Sequence, residues 1–327
     1  MRRRKQFVAA MAMLAMCLTS FAGFAGEPSG DWRPESAINI RVPFAAGGSL
    51  DTITRIIGQG LQETYNQTVI VNNKTGANGA IAANDVLSLK PDAREMVTGG
   101  ISLFTLAPLF NREINVNLDD FEMICALVSE DFLLFVAPGN SGLKTFEDLM
   151  NHGKTNRVLF GSNNPGGTTH MLATALFGEA GVNARAVTSP GSAQDLLALV
   201  GDNVVCAVAT AQVARQYVEE GSIVPVLVFS DEEFTGYPGH TVPTAKGKGY
   251  DIVFRSCNFL MTKKGVDKKV VDQIYKDILA FYETDRFKTL AANANYEPDT
   301  SDGETVRQVI KDAAATCQTI YDKYYKR

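Results

Sequence analysis

The sequence predicts an α/β protein of two lobes, each a mixed sheet flanked by helices, with a ligand cleft between them. Strand-like and helix-like stretches alternate beyond the N-terminal leader, the pattern of strands joined by crossover helices with mainly parallel pairing. The chain behind that leader, about 300 residues, exceeds what one hydrophobic core comfortably holds. Five loops rich in Gly, Ser, Thr and Asn recur where extended segments give way to helices, the place where ligands collect in open α/β sheets.

Ile38 to Val42 reads as a strand, with Ile38, Ile40 and Val42 in alternation until Pro43 stops the run. Thr52 to Tyr65 is a helix, because Ile53, Ile56, Ile57 and Leu61 recur on one face at helical spacing. Thr68 to Val71 is a strand, Gly79 to Leu89 a helix ended by Pro91, and Met96 to Gly99 a strand. The apolar run Met123 to Pro138 is extended but interrupted at Ser129-Glu130-Asp131, where the chain is expected to pass between lobes. Beyond it lie helices at Thr145 to Asn151, Thr168 to Gly178, Ala193 to Leu199 and Val213 to Glu220. Strands alternate with these at Val158 to Gly161, Ala186 to Val187, Val204 to Ala209 and Ile223 to Phe229. A Gly/Pro-rich connection, TGYPGHTVPTAKGKGY, leads back through Ile252 to Met261. Helices at Lys268 to Tyr282 and Gly303 to Tyr325 close the chain. With crossings near Ser129 and Tyr250, the expected division is a leader over 1–26, one lobe of 27–129 plus 251–327, and a second of 130–250.

In the leader, Arg2, Arg3, Arg4 and Lys5 precede an apolar run from Phe7 to Leu18, and small residues follow at Gly23, Ala25 and Gly26. This is the pattern of a secretory signal peptide, with an apolar run short for a membrane span. Cleavage is expected after Ala25 or Gly26. Met16 directly before Cys17 makes a poor lipobox, so a lipoprotein anchor there is not expected. The product is read as exported, soluble and periplasmic or otherwise extracytoplasmic. Losing four positive leader residues takes the formal charge from −5 to −9, a balance that disfavours nucleic acid and anionic lipid as partners. Cys125, Cys206, Cys257 and Cys317 remain, widely spaced and without a C-x-x-C pair. No zinc or redox motif is indicated, and one disulfide is permitted without its pairing being readable.

The five loops are FAAGGS, KTGANGA, GGIS, NNPGGTTH and SPGSA, and together they offer one cation, Lys74. Such loops suit an anion held by backbone amides, hydroxyls and helix N-termini; tight connections whose glycines supply positive φ are the plainer alternative. Gly47-Gly48 is followed by Ser-Leu-Asp rather than Lys-Ser/Thr, and no Gly-x-Gly-x-x-Gly occurs, so nucleotide binding is not indicated.

Several motifs resemble the extracytoplasmic receptors of tripartite tricarboxylate transporters, the Bug-type solute-binding proteins. Val42-Pro43-Phe44-Ala45-Ala46-Gly47-Gly48-Ser49-Leu50-Asp51 is similar to the family's opening signature. Asn73 to Gly79, Gly161-Ser162, Gly166-Gly167-Thr168-Thr169-His170, Gly191-Ser192-Ala193 and Val242-Pro243-Thr244 resemble later segments in the same order. The likeness covers nearly the whole mature chain. It implies a type II-like periplasmic-binding-protein fold closing on a small carboxylate that is held by backbone amides and waters. Ligand-binding positions on this reading are Phe44, Ala46, Gly47, Gly48, Asp51, Asn78, Ser102, Ser162, Thr168, Thr169, His170, Gly191, Ser192 and Ala193. Cys257 and Asn258 stand where relatives often carry Trp-Phe or Trp-Arg, Val205 replaces a frequent Asp, and Asn78 a frequent Gly. The Cys257 departure bears on the shape of the distal pocket.

Asp51 either caps the helix starting at Thr52 or reaches the ligand. Phe44 walls the ligand or fills the space between lobes. Ala46-Gly47-Gly48 and Thr168-Thr169 are expected to face each other across the cleft and share a carboxylate. Arg255 is a distal cation or an interlobe salt bridge. His170 is the best candidate for a base, yet no Gly-x-Ser-x-Gly elbow or nearby cysteine supplies a nucleophile. No cluster has metal-ligand spacing, and no cofactor is expected. The reading is a monomeric solute-binding receptor, not an enzyme, with a small carboxylate and membrane transporter subunits as partners. A solute sensor feeding a signalling kinase is the alternative, and an exported hydrolase or transferase the more distant one.

If the leader is cleaved as read, intact-mass measurement of the exported protein should find an N-terminus at Gly26 or Glu27. A retained Met1, or a lipid on Cys17, contradicts the reading.

Overall fold

A computed structural model describes residues 28–44, 46–163, 166–189, 191–294 and 296–326; the leader lies outside them. The described strands are β1 (Ile38–Val42), β2 (Val69–Asn73), β3 (Glu95–Gly100), β4 (Phe121–Val136), β5 (Val158–Asn163), β6 (Ala184–Ser189), β7 (Cys206–Thr210), β8 (Val224–Val228) and β9 (Arg255–Lys263). The longer helices are α1 (Ser49–Tyr65), α2 (Ala80–Leu87), α3 (Phe146–Gly153), α4 (Thr168–Glu179), α5 (Ser192–Val200), α6 (Ala211–Glu219), α7 (Lys268–Tyr282), α8 (Asp285–Asn293) and α9 (Gly303–Tyr324).

The strands run β2-β1-β3-β9-β4-β7-β5-β6, with β8 also beside β4. Parallel pairs lie toward the two ends: β1 pairs with β2 and β3, and β5 with β6 and β7. The middle is antiparallel, in β3 with β9, β9 with β4, and β4 with β7 and β8. The sheet is mixed, as the fold class expects, although the antiparallel share is larger than strands joined mainly by crossover helices would give. The cause is the chain path, because β4 leaves the first group of strands and β9 returns to it alongside.

The expected break in β4 does not occur. Ser129, Glu130 and Asp131 stay in the ladder opposite Cys257, Ser256 and Arg255. The irregularity sits upstream, as register shifts between Met123 and Cys125 and between Ala126 and Val128, where bulges add twist without ending a strand. Beyond Asp131 the same strand changes partners, pairing with β7 from Phe132 and with β8 from Leu133.

Burial sets the aim of the helices. Ile53, Ile56, Ile57 and Leu61 of α1 share an apolar cluster with Ile38 and Ile40 of β1 and Ile274, Ile278 and Phe281 of α7. Each such side chain contributes roughly 1.5–3 kcal/mol when fully buried, so this face fixes where the α1 N-terminus points. Gly60 admits the Phe281 ring, which an added Cβ would meet at 2.4 Å.

Helix α8 has no counterpart in the expected elements; it is capped by Thr284, whose hydroxyl accepts from the Phe287 N–H at 3.1 Å. Helix α9 begins at Asp302, whose carboxylate accepts from Thr305 N–H at 2.8 Å. Its far end reaches α4: Lys323 pairs with Glu179, and the Tyr325 hydroxyl meets His170 Nδ1 at 3.0 Å. Helix α9 therefore touches the second strand group as well as the first. Among the described residues no helix is long and apolar enough to cross a membrane. The four cysteines are free and buried, so the permitted disulfide is not formed.

Candidate functional site

A cleft of about 590 Å³ opens at the carboxyl ends of the parallel strands, a size usual for small-molecule sites. The loop after β1 brings Phe44, Ala46, Gly47, Gly48 and the start of α1; that after β2 brings Asn78; that after β3 brings Gly100, Ile101 and Ser102. The loop after β5 brings Gly167 and Thr168 at the head of α4, and that after β6 brings Gly191 through Gln194 at the head of α5. A sixth junction, Thr210 before α6, lines the cleft as well. The first-turn N–H groups of a helix lack intrahelical partners, and its dipole leaves partial positive charge there. Helices α1, α4, α5 and α6 present such ends to one space.

The local geometry follows from the sequence. Gly47 takes φ +80°, a left-handed conformation suited to glycine. Asp51 then reaches back from the third position of α1. It accepts from Gly47 N–H at 2.8 Å, from Asn73 Nδ2 at 2.9 Å and from the Arg55 guanidinium at 2.9 Å. Burial would raise this carboxyl, but the Arg55, Gly47 and Asn73 bonds outweigh it and hold it below the usual carboxylate range. Asp51 thus locks the loop from behind and is 2 % exposed; it neither lines the cleft nor stands at the cap, which is Gly48. The Gly47 N–H is also committed inward. Asn78 sits at φ +51°, a left-handed position that Asn tolerates better than other non-glycine side chains.

Ten of the fourteen expected positions line the cleft: Phe44, Ala46, Gly47, Gly48, Asn78, Ser102, Thr168, Gly191, Ser192 and Ala193. The other four, Asp51, Ser162, Thr169 and His170, do not. Ser162 and Thr169 are fully buried. Successive helical residues turn by about 100°, so Thr168 faces the opening while Thr169 points into the protein. One step further, His170 Nδ1 accepts from Gly166 N–H at 3.3 Å and meets Tyr325. Burial lowers its pKa. Thr168-Thr169 therefore contributes one residue to the cleft, not two. Lys74, the loop cation, is turned away into an ion pair with Asp85, which also holds Arg41.

The crossing strands supply a wall that the loops did not reveal. Glu130 and Phe132 of β4 lie two residues apart, and so do Phe254, just before β9, and Ser256 and Asn258 within it; all five line the cleft. This is the period-two spacing that puts alternate side chains on one face. Cys257, between Ser256 and Asn258, is buried on the other side, so the distal pocket is shaped by Asn258 instead. Arg255 pairs with Asp131 at 3.5 Å and is not among the lining residues. The signal for the wall was an acid inside an apolar run, LVSEDFLLFV, which reads as an interruption until the strand is seen to continue.

Glu130 is the only ionisable side chain among the described lining residues. Its Oε1 is enclosed without a hydrogen-bond partner. Burial pushes the carboxyl up to about 7, the Thr210 hydroxyl restrains the rise, and Asp131 adds to it. Gln212 of α6 joins the two sides of the opening, its Oε1 accepting from Ser49 Oγ at 2.7 Å and its Nε2 donating to Ala294 O at 2.9 Å. Among the described residues no group of three or more His, Cys, Asp or Glu could hold a metal ion.

Residues 53–324 match the model of the tripartite tricarboxylate transporter family receptor. A UPF0065 protein in gbd 5'region from Cupriavidus necator is 26% identical over 327 residues, covering 98% of each chain. Among solved structures, an R. palustris protein with adipate superposes with a TM-score of 0.79 at 21% identity, covering 89% of this chain and 98% of that one. MatC from Rhodopseudomonas palustris, with bound malate, superposes at 0.74 and 20% identity, covering 88% and 99%.

The lock on the glycine loop has a testable pH signature. Asp51→Asn should cost roughly 1–3 kcal/mol at pH 7, the worth of a charged hydrogen bond. Asp51 is held below its ordinary pKa, so its contribution is present above the unfolded value, about 3.9, and is lost as pH falls through the folded one. The gap between the urea midpoints of parent and variant should be full at pH 7 and narrower at pH 3, below the unfolded value. An equal gap at both would show that the charge of Asp51 does not hold the loop.

Proposed function

We propose that this chain, which belongs to the tripartite tricarboxylate transporter receptor family, captures a small organic carboxylate outside the cytoplasmic membrane and delivers it to the transporter's membrane subunits. The observation that carries the reading is the convergence of four helix N-termini on a cleft with no cationic side chain among its described lining residues. A carboxylate there is held by first-turn N–H groups of α1, α4 and α5, together with hydroxyls such as Thr168 and Ser102. The malate and adipate bound by the two neighbouring structures are ligands of that chemistry. The receptor reading, with no chemistry done on the solute, is supported by the place of His170: it lies under α9, away from the cleft. A monomer suffices, because one chain supplies every wall of the cleft described.

On this reading 27–129 with 251–327 and 130–250 act as two lobes that close about the strands β4 and β9. The change of pairing partners between Asp131 and Phe132 supports a hinge there on the outward strand. Gln212 bonds across the opening when the lobes are together.

A thermal-shift panel of mono-, di- and tricarboxylates should find acids that raise the melting temperature, since a ligand bound only by the native state stabilises it. For the best of them, Thr168→Val should weaken binding by about ten- to a hundredfold, the loss of one hydrogen bond to a charged group. Its ligand-free melting should stay near that of the parent. Unchanged calorimetric affinity in the folded variant would place the anion elsewhere.

Saturation with the same acid should also shrink the radius of gyration in solution scattering. Identical curves with and without it, from a protein shown to bind, would remove lobe closure from the account.

A further inference from the structure

Glu130 stands apart from every other lining residue. It is an acid in a cleft read as an anion site, on the strand that joins the two groups of the sheet. Among the described residues its surroundings give it no cation. On its own strand Asp131 adds a like charge, and Arg255 from β9 is engaged by Asp131 at 3.5 Å. From α6, Arg215 stacks over the Tyr237 ring at 5.5 Å and pairs with Glu219 at 3.7 Å. The Tyr237 phenol is itself pushed up, by burial first and in part by Glu130. Glu232 faces Asp131 rather than Glu130. What Glu130 does have nearby are hydroxyls, Thr210 at the head of α6 and Ser256 directly opposite in the ladder.

Two charged acids cannot share such a space cheaply, because a like charge disfavours ionisation and low polarity magnifies the effect. A protonated carboxyl reverses the sign of the contact by becoming a donor. We propose that Glu130 contacts the bound carboxylate as the neutral acid, donating its O–H to a ligand oxygen, so that the cleft takes up a proton together with its ligand. The proposal rests on the carboxylate reading of the cleft. It assigns the strand wall a recognition task distinct from that of the helix ends: the helices favour a charge, and Glu130 counts protons. The free carboxyl lies near 7 and rises when an anion binds. Binding is therefore strongest below 7 and weakens as pH climbs through it.

The test is calorimetry with succinate, malate, adipate, citrate, benzoate and glutamate at pH 6.5 and 8.5, using buffers of different ionisation enthalpy to count protons. For the tightest acid, the parent should take up protons on binding and lose about twentyfold in affinity across that range, the slope of one linked proton. Glu130→Gln keeps a donor but cannot titrate. It should bind with no proton uptake and with affinities within about twofold at the two pH values. Asp195, buried in the first turn of α5 and pushed up to about 6 by burial, is another described acid raised toward this range. Undiminished uptake in Glu130→Gln would move the effect to such a group and overturn the proposal. So would binding to the parent without uptake, or with proton release, which marks a ligand ammonium against a charged Glu130. The parent's proton count stands even if the variant fails to fold. If none of the six acids binds the parent at pH 6.5, the carboxylate reading itself fails and this proposal falls with it.

Discussion

The antiparallel ladder between β4 and β9 is the constraint on which the rest of the molecule depends. Nine register pairs tie the two strands from Phe121 and Lys263 to Asp131 and Arg255, and only past that point does β4 enter the second group. Because the two strands run in opposite directions, one chain leaves and re-enters the first group at the same place. The strand ends near that place face the opening, which is why Glu130, Phe132, Phe254, Ser256 and Asn258 become walls of the cleft. The parallel strands on either side then aim their helices at the same space. Antiparallel pairing in the middle and parallel pairing outside are two consequences of a single double crossing.

A chain with a formal charge of −5 is a poor long-range attractor for an anion. The cleft answers locally. Lys74 and Arg41 are tied to Asp85, Arg55 to Asp51, and Arg255 to Asp131, so no cation of these loops reaches the ligand space. What remains is the partial charge of helix ends, which acts within a turn and does not move. Such donors select by geometry, whereas a lysine on a flexible stem would accept many anions in many poses. The strand wall adds polar and aromatic side chains, Glu130, Ser256 and Asn258 beside Phe132 and Phe254, to the same space.

Much of this was legible in the residues. The alternation of strands and helices, the burial of Ile53, Ile56, Ile57 and Leu61, and the gathering of glycine loops at one end follow from periodicity and turn chemistry, which are local. The strand wall was not legible, because Glu130 and Asp131 look like a break unless the partner strand that holds them is known. Thr210 was missed for a related reason: a strand running straight into a helix leaves no glycine to mark it. Asp51 and His170 were assigned to the ligand because they lie in the right loops, yet each is turned inward by partners distant in sequence, Asn73 and Tyr325. The helix α8 and the return of α9 to α4 likewise depend on contacts that no short window contains.

The four thiols have a practical consequence. Cys125, Cys206, Cys257 and Cys317 are enclosed, and burial pushes each one up from its ordinary ionisation range. Alkylation proceeds through the thiolate at an accessible sulfur, so these four thiols are chemically silent toward a maleimide and can stay in place. Ile81 on α2 is 52% exposed and Leu197 on α5 is 57% exposed, one on each side of the crossing strands. Cysteines introduced at those two places would be the reactive pair, and a dye on each would turn the natural fold into its own ruler, reading the separation of the two sides molecule by molecule.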